Sequence, residues 1–175
     1  IVHLISPQGE AQSQESTANA IRSWRPEAVL AVGVAFGVDQ DKQSIGDVLV
    51  AQAVQGYELV RRSSGGIDLR DIARPATRRM WQRATACDHT RKAAKDPRWP
   101  AILVGVVLSG SSLVDDIDYR DALVALVPHK VQGGEMEAIG LSIPADNAKV
   151  DWIVVKGICD FADGNARNDA AGFGR

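Results

Sequence analysis

The residues of this chain best equipped for chemistry are carboxylates in two short clusters. Glu135-Met136-Glu137 follows Gly133-Gly134 and precedes Ala138-Ile139-Gly140-Leu141, the pattern of a strand end turning into a helix. Asp160 and Asp163 follow the β-rich run Trp152-Ile153-Val154-Val155, which is too short for a helix and places Asp160 just beyond a buried strand. Carboxylates in such places accept hydrogen bonds from a polyhydroxylated ligand, pair with a basic one, or pass a proton. Ligands of open α/β sheets bind in the crevice beyond the carboxyl ends of the strands, where both clusters can meet one ligand. A plainer reading stands beside this one: glutamates suit a helix N-terminus through its dipole, and aspartates cap turns.

The elements that must hold these clusters alternate in type. Residues 28–34 form a continuous apolar run of strand length, expected to be covered on both faces, and it ends in the loop Ala35-Phe36-Gly37. Residues 48–54 and 101–108 read as further strands, the second closed by Ser109-Gly110-Ser111-Ser112, and residues 1–5 as a short leading one. A helix is expected over 11–24 with Ala18, Ile21 and Trp24 on one side. Another is expected over 75–87 with Pro75 in its first turn, and a third over 118–127 with Tyr119, Ala122, Leu123 and Leu126 on one face. Residues 55–71 show no clear period, Ser63-Ser64-Gly65-Gly66 reads as a flexible loop, and 88–100 as a charged loop. Pro144 is expected to break or kink the helix that follows Glu137. Strands alternating with helices predict a three-layer α/β/α sandwich on a mixed, mostly parallel central sheet.

The 175 residues fit one domain, and the formal net charge of −2 with scattered Lys and Arg gives no basic face for nucleic acid. The two cysteines, Cys87 and Cys159, match no metal spacing, so neither a disulfide nor a metal is expected and a reducing cytoplasm is the simpler setting. No apolar run approaches the roughly 20 residues of a membrane-spanning helix.

Five segments, in this order and spacing, resemble the purine nucleoside phosphorylase/nucleosidase superfamily, in particular its methylthioadenosine/S-adenosylhomocysteine nucleosidase branch. They are Val32-Gly33-Val34-Ala35-Phe36-Gly37, Ile45-Gly46-Asp47-Val48-Leu49-Val50, Leu108-Ser109-Gly110-Ser111-Ser112-Leu113-Val114, Gly134-Glu135-Met136-Glu137-Ala138 and Lys156-Gly157-Ile158-Cys159-Asp160-Phe161-Ala162-Asp163. The resemblance implies a nucleoside phosphorylase-like domain over 1–175, expected to lack the family's first strand and final helix. It implies an N-ribosyl hydrolase that frees a purine base from a nucleoside or nucleotide without a cofactor. In that scheme Glu137 accepts hydrogen bonds from the ribose hydroxyls, with Glu135 and Met136 beside it and Met136 packed under the sugar. Asp160 gives a proton or strong hydrogen bond to N7 of the departing purine. Ala35, Phe36, Leu113 and Val114 bound the base.

The chain departs from the family at several of these places. Cys159 stands where Ser is usual, and Lys156 where Arg is frequent. Leu113 replaces an aromatic residue, while Phe36 replaces a Gly and either supplies the missing ring or belongs to the core. Ala31 and Val34 occupy the places where phosphorylases clamp phosphate with Arg and Ser, which favours hydrolysis. The family's water-activating glutamate lies ahead of Ile1, and Glu10 and Glu15 are poor substitutes because they sit in the later loop and helix. Two alternatives remain: a phosphorylase with a relocated phosphate site, and a nucleoside-binding sensor or effector module of a larger signalling or defence protein. As an enzyme, the chain is expected to form a homo-oligomer, most simply a dimer.

Overall fold

The four apolar runs expected as strands, 28–34, 48–54, 101–108 and 152–155, each contribute a strand to the computed structural model, which describes residues 1–94 and 99–164. They are β1 (Ala28–Gly37), β2 (Val48–Gly56), β6 (Ile102–Ser109) and β8 (Asp151–Asp160). Between them lie β3 (Val60–Ser63), β4 (Gly66–Leu69), β5 (Arg74–Pro75) and β7 (Val131–Glu135), with helices α1 (Glu10–Trp24), α2 (Arg78–Ala94), α3 (Ile117–Ala125) and α4 (Ala138–Ala148).

The main sheet has the order β5-β2-β6-β7-β1-β8, and β2 also pairs with β8, so five strands close into a ring. The long ladders β1–β8 and β2–β6, with β6–β7, are parallel, whereas β1–β7, β2–β8 and β2–β5 are antiparallel. This is the mixed, mostly parallel sheet expected, with the added feature of closure. The Gly46-Asp47 turn makes the seam. Asp47, 8% exposed, accepts hydrogen bonds from Ser44 N (2.9 Å) and Ala101 N (2.8 Å), and its carbonyl accepts from Ile158 N at 2.8 Å. The starts of β2 and β6 are thereby pinned to the end of β8. Gly46, at φ +93°, supplies the left-handed backbone that this turn requires.

Because strand side chains alternate between faces, β6 feeds two cores. Val107 joins Leu49, Val54, Ile139, Leu141, Trp152 and Val154 under α4. Val106 and Leu108 join Phe36, Tyr57, Val114, Leu123 and Val127 under α3. Helices on both sides of the sheet make the three layers.

Several local expectations give way. Residues 1–5 pair with no strand, and Ile1 and Ile5 are exposed, because an apolar run becomes a strand only where a neighbour offers a ladder. Residues 60–69 form the β3–β4 hairpin around the Ser64-Gly65 turn, an exposed ribbon without an apolar period to announce it. Pro75 ends β5 rather than opening α2, and α2 runs on to Ala94, so 88–94 is helix rather than loop. Residues 95–98 of the expected charged loop, and the Gly-rich tail after Gly164, lie outside the described residues. On α3 the buried side chains are Arg120 and Leu123, while Tyr119 is exposed. On α1 they are Ser13 and Thr17, with Trp24 exposed. That face is made of small residues because α4 lies close against it: a Cβ on Gly140 would come 2.1 Å from the Glu10 carbonyl oxygen. Pro144 lies inside α4, which continues to Ala148, giving up one N–H donor without ending the helix. Finally, β1 is covered on one face only, since Leu30, Val32 and Val34 are 56%, 77% and 62% exposed.

Candidate functional site

Glu135 ends β7 and is 4% exposed. Its oxygens accept from Glu137 N (2.9 Å) and Ala138 N (3.0 Å), serving the orphan donors at the start of α4. The next donor, Ile139 N, goes to Ser109 Oγ at 3.1 Å, from the β6 residue in register with Glu135. A carboxylate buried this deeply needs a cation, and β8 supplies it. Lys156 Nζ stands 3.0 Å from Glu135 Oε2 and 2.9 Å from Glu137 Oε2. Gly33 on β1 makes room, since a Cβ there would lie 3.2 Å from Nζ.

The two glutamates are therefore not equivalent. The side chain of Glu135 is 1% exposed and that of Glu137 is 23% exposed, so Glu137 is the carboxylate open to a ligand. Its Oε1 accepts from Gly9 N at 3.2 Å, and Gln8 Nε2 donates to Met136 Sδ at 3.2 Å, which folds the loop before α1 over the triplet. Burial pushes the Glu137 carboxyl up, but the Lys156 ammonium, through its hydrogen bond and charge, outweighs it and holds the group below its ordinary range. Burial acts on Lys156 in the opposite sense, and the two carboxylates outweigh it, keeping the ammonium above its ordinary value. Glu10, just after Gly9, is pushed up by its burial and by the charges of Asp71 and Glu58.

Asp160 ends β8. Its Oδ1 accepts from Ala162 N at 2.9 Å and its Oδ2 from the Cys159 thiol at 3.0 Å. Burial, and then the hydrogen bond to Asp160 and its charge, push the Cys159 thiol up to about 12, and it is a donor S–H at neutral pH. Arg120 of α3 donates to the Phe161 carbonyl at 2.6 Å, anchoring the turn that follows. Asp163 instead accepts from Gln40 Nε2 at 2.9 Å, tying that turn to the loop after β1.

Phe36 connects the clusters. It is in register with Asp160 on one side and Gly134 on the other. Its ring fills the space over Gly134, where a Cβ would lie 2.2 Å from Cζ. Phe36, at 8% exposure, therefore belongs to the core, and Val114, at 4%, lies in its cluster. Ala35 belongs to the other cluster, and its carbonyl accepts from the Cys159 thiol at 3.5 Å. Leu113 is 76% exposed. Lys156 and Asp160 lie four residues apart on β8, roughly 13 Å along a strand. A groove of about 420 Å³ between α1 and α4, lined by Gln14, Ile21, Ile143 and Pro144 among others, contains none of these groups.

Sequence reasoning did not assign the bridging role of Lys156 or the contacts of Gly9, Gln8 and Ser109. The signal for Lys156 was present: a charge inside Val154-Val155-Lys156-Gly157-Ile158 on the buried phase of a strand requires a buried partner.

The profile of the phosphorylase superfamily matches residues 4–173, and the chain belongs to that superfamily. Within it, the chain is 25% identical over 182 residues to a death domain-containing ATP nucleosidase of Amphimedon queenslandica, covering 93% of this chain and 33% of that protein. It is 22% identical over 174 residues to 5′-methylthioadenosine/S-adenosylhomocysteine nucleosidase of Staphylococcus aureus, covering 94% of this chain and 70% of the relative. Among solved structures, futalosine hydrolase of Helicobacter pylori shares the fold at TM-score 0.81 and 23% identity, over 96% of this chain and 70% of that one. The Neisseria meningitidis 5′-methylthioadenosine/S-adenosylhomocysteine nucleosidase bound to methylthio-immucillin-A does so at TM-score 0.82 and 19% identity, over 97% and 71%. The chain thus spans about a third of the Amphimedon protein and 70% of the bacterial relative. Among the described residues, no helix is long and apolar enough to cross a membrane.

Proposed function

We propose that this domain is the purine N-ribosyl hydrolase unit of its protein. The observation that carries the reading is Glu137: a partly open carboxylate, kept ionised by Lys156 and joined through Phe36 to the strand end that bears Asp160. An ionised carboxylate accepts both hydroxyls of a ribose diol, which a neutral acid cannot do as well. Asp160 then acts at the purine. Entering in its acid form, it passes its proton to N7 as the C1′–N9 bond breaks, the base leaves neutral, water adds to C1′, and the proton that water loses returns to the Asp160 carboxylate. Met136 lies under the sugar, and Val114 and Leu113 flank the base. The relatives named as nucleosidases support hydrolysis. So do Ala31 and Val34, which offer a phosphate no side-chain donor.

In the same reading the protein works in the cytoplasm, where Cys87 and Cys159 stay as thiols, and as an enzyme it forms a homodimer. A second reading, a nucleoside-binding module of a larger signalling protein, is favoured by the relative that carries a death domain and is about three times as long as the matched region. Purine release from inosine, adenosine, methylthioadenosine, AMP and ATP by the full-length protein, with and without phosphate, separates them. Release without phosphate supports the hydrolase. Release only with phosphate makes it a phosphorylase, and tight binding without release makes it a sensor.

A further inference from the structure

The loop leaving β6 is fastened by the two residues that follow β2. Glu58 aims one carboxylate oxygen, Oε1, at three donors: Ser111 N (2.9 Å), Ser112 N (3.1 Å) and Ser112 Oγ (3.1 Å). Tyr57, 3% exposed, donates its hydroxyl to the Ser112 carbonyl at 2.8 Å. Its ring occupies the space that Gly110 leaves, where a Cβ would lie 2.3 Å from Cζ, and its N–H donates to the Ser109 carbonyl at 3.2 Å. Between them, Tyr57 and Glu58 touch every residue from 109 to 112. The other side of this loop is tied to the acidic triplet, since Gly110 N donates to the Glu135 carbonyl at 3.2 Å.

These ties set the direction in which the chain leaves for Leu113 and Val114. Val114 is 4% exposed and packs with Phe36 and Tyr57 itself, whereas Leu113, one residue earlier, is 76% exposed. A segment that turns from solvent to core within one residue depends on where its preceding residues are held. The bonds to Glu58 lie at the surface, so water competes for them and the loop can let go on that side. The Tyr57 contacts are buried and hold its root.

We propose that Tyr57 and Glu58 are positioning residues that set the base-side loop, and with it nucleoside affinity and the choice of base. This rests on the reading of Leu113 and Val114 as the walls of a purine site. The test uses the full-length protein with Glu58→Ala, Glu58→Gln and Tyr57→Phe, amide exchange at Ser111 and Ser112, and calorimetric affinities for adenosine and inosine. Glu58→Ala is expected to speed exchange at both amides by about tenfold. It is also expected to weaken adenosine binding by about fivefold and to change the adenosine-to-inosine ratio, with kcat within about twofold of wild type. Glu58→Gln should recover most of both effects, because its amide oxygen still accepts from the same donors. Tyr57→Phe should keep the ring packing and loosen Ser112 alone. Unchanged exchange in Glu58→Ala, or faster exchange with unchanged affinity and unchanged base preference, overturns the proposal. If the wild type binds adenosine yet releases no base, the hydrolase reading fails while the affinities still decide this one. A wild type that binds neither nucleoside overturns both.

Discussion

Lys156 holds two carboxylates of different standing, and substitution should show the difference. Lys156→Met leaves Glu135 buried without its cation and is expected to cost about 3–5 kcal/mol, read from urea unfolding of the full-length protein. Glu137→Gln removes a partly exposed pair and should cost no more than about 1 kcal/mol while abolishing tight nucleoside binding. Equal costs would contradict the division of roles. The pH dependence has a definite sign. The folded-state pKa of Glu137 lies below 4.5, so its contribution is complete above 4.5 and is lost as pH falls through the folded value. That of Lys156 lies above 10.5, so its contribution is complete below 10.5 and is lost as pH rises through the folded value. The stability difference between wild type and Glu137→Gln should therefore hold steady near neutrality and shrink in acid below 4.5. A difference independent of acid would remove the ion pair from the account. The two acidic clusters were legible in the sequence because their motifs are contiguous. The bridge from Lys156 was not, because its partners lie 19 and 21 residues away, at the start of α4 and the end of β7.

At the scale of elements, strands were legible wherever apolar runs reached strand length, as in 28–34 and 102–108, but their cover was not, since Leu30, Val32 and Val34 are exposed. Helix faces were not, because the partner decides which face is buried. On α1 the close approach of α4 selects Ser13 and Thr17 rather than the more apolar Trp24. The same contact places Gly9 where its N–H reaches Glu137. Gly140→Ala tests it. Replacing a helical glycine by alanine in the open gains about 1 kcal/mol. Here the new methyl would meet the Glu10 backbone oxygen at 2.1 Å, which cannot swing aside like a side-chain tip. Overpacking should win, giving a net loss of about 1–3 kcal/mol in urea unfolding. Stabilisation would show that α1 is free to move away from α4.

At the scale of the molecule, the β6–β7, β7–β1 and β1–β8 pairings bring the ends of those four strands to one edge and the β2–β8 pairing closes the ring, an arrangement no single run of sequence encodes. Asp47 at the seam is the residue that most directly supports it. Asp47→Ala leaves Ser44 N and Ala101 N without their acceptor and should cost about 1–3 kcal/mol in the same unfolding measurement, whereas a neutral effect would place the closure elsewhere. The edge so formed carries the proposal that Glu137 holds the ribose while Asp160 releases the base. The most direct measurement is base release from purine nucleosides by the full-length protein and its Asp160→Asn variant, with nucleoside affinity measured alongside. The amide keeps the shape of the acid and can donate a hydrogen bond to N7, but it has no proton to transfer. Turnover is expected to fall by a factor on the order of 10²–10⁴, with a much smaller loss of affinity because Glu137 is intact. Turnover unchanged in Asp160→Asn would contradict it.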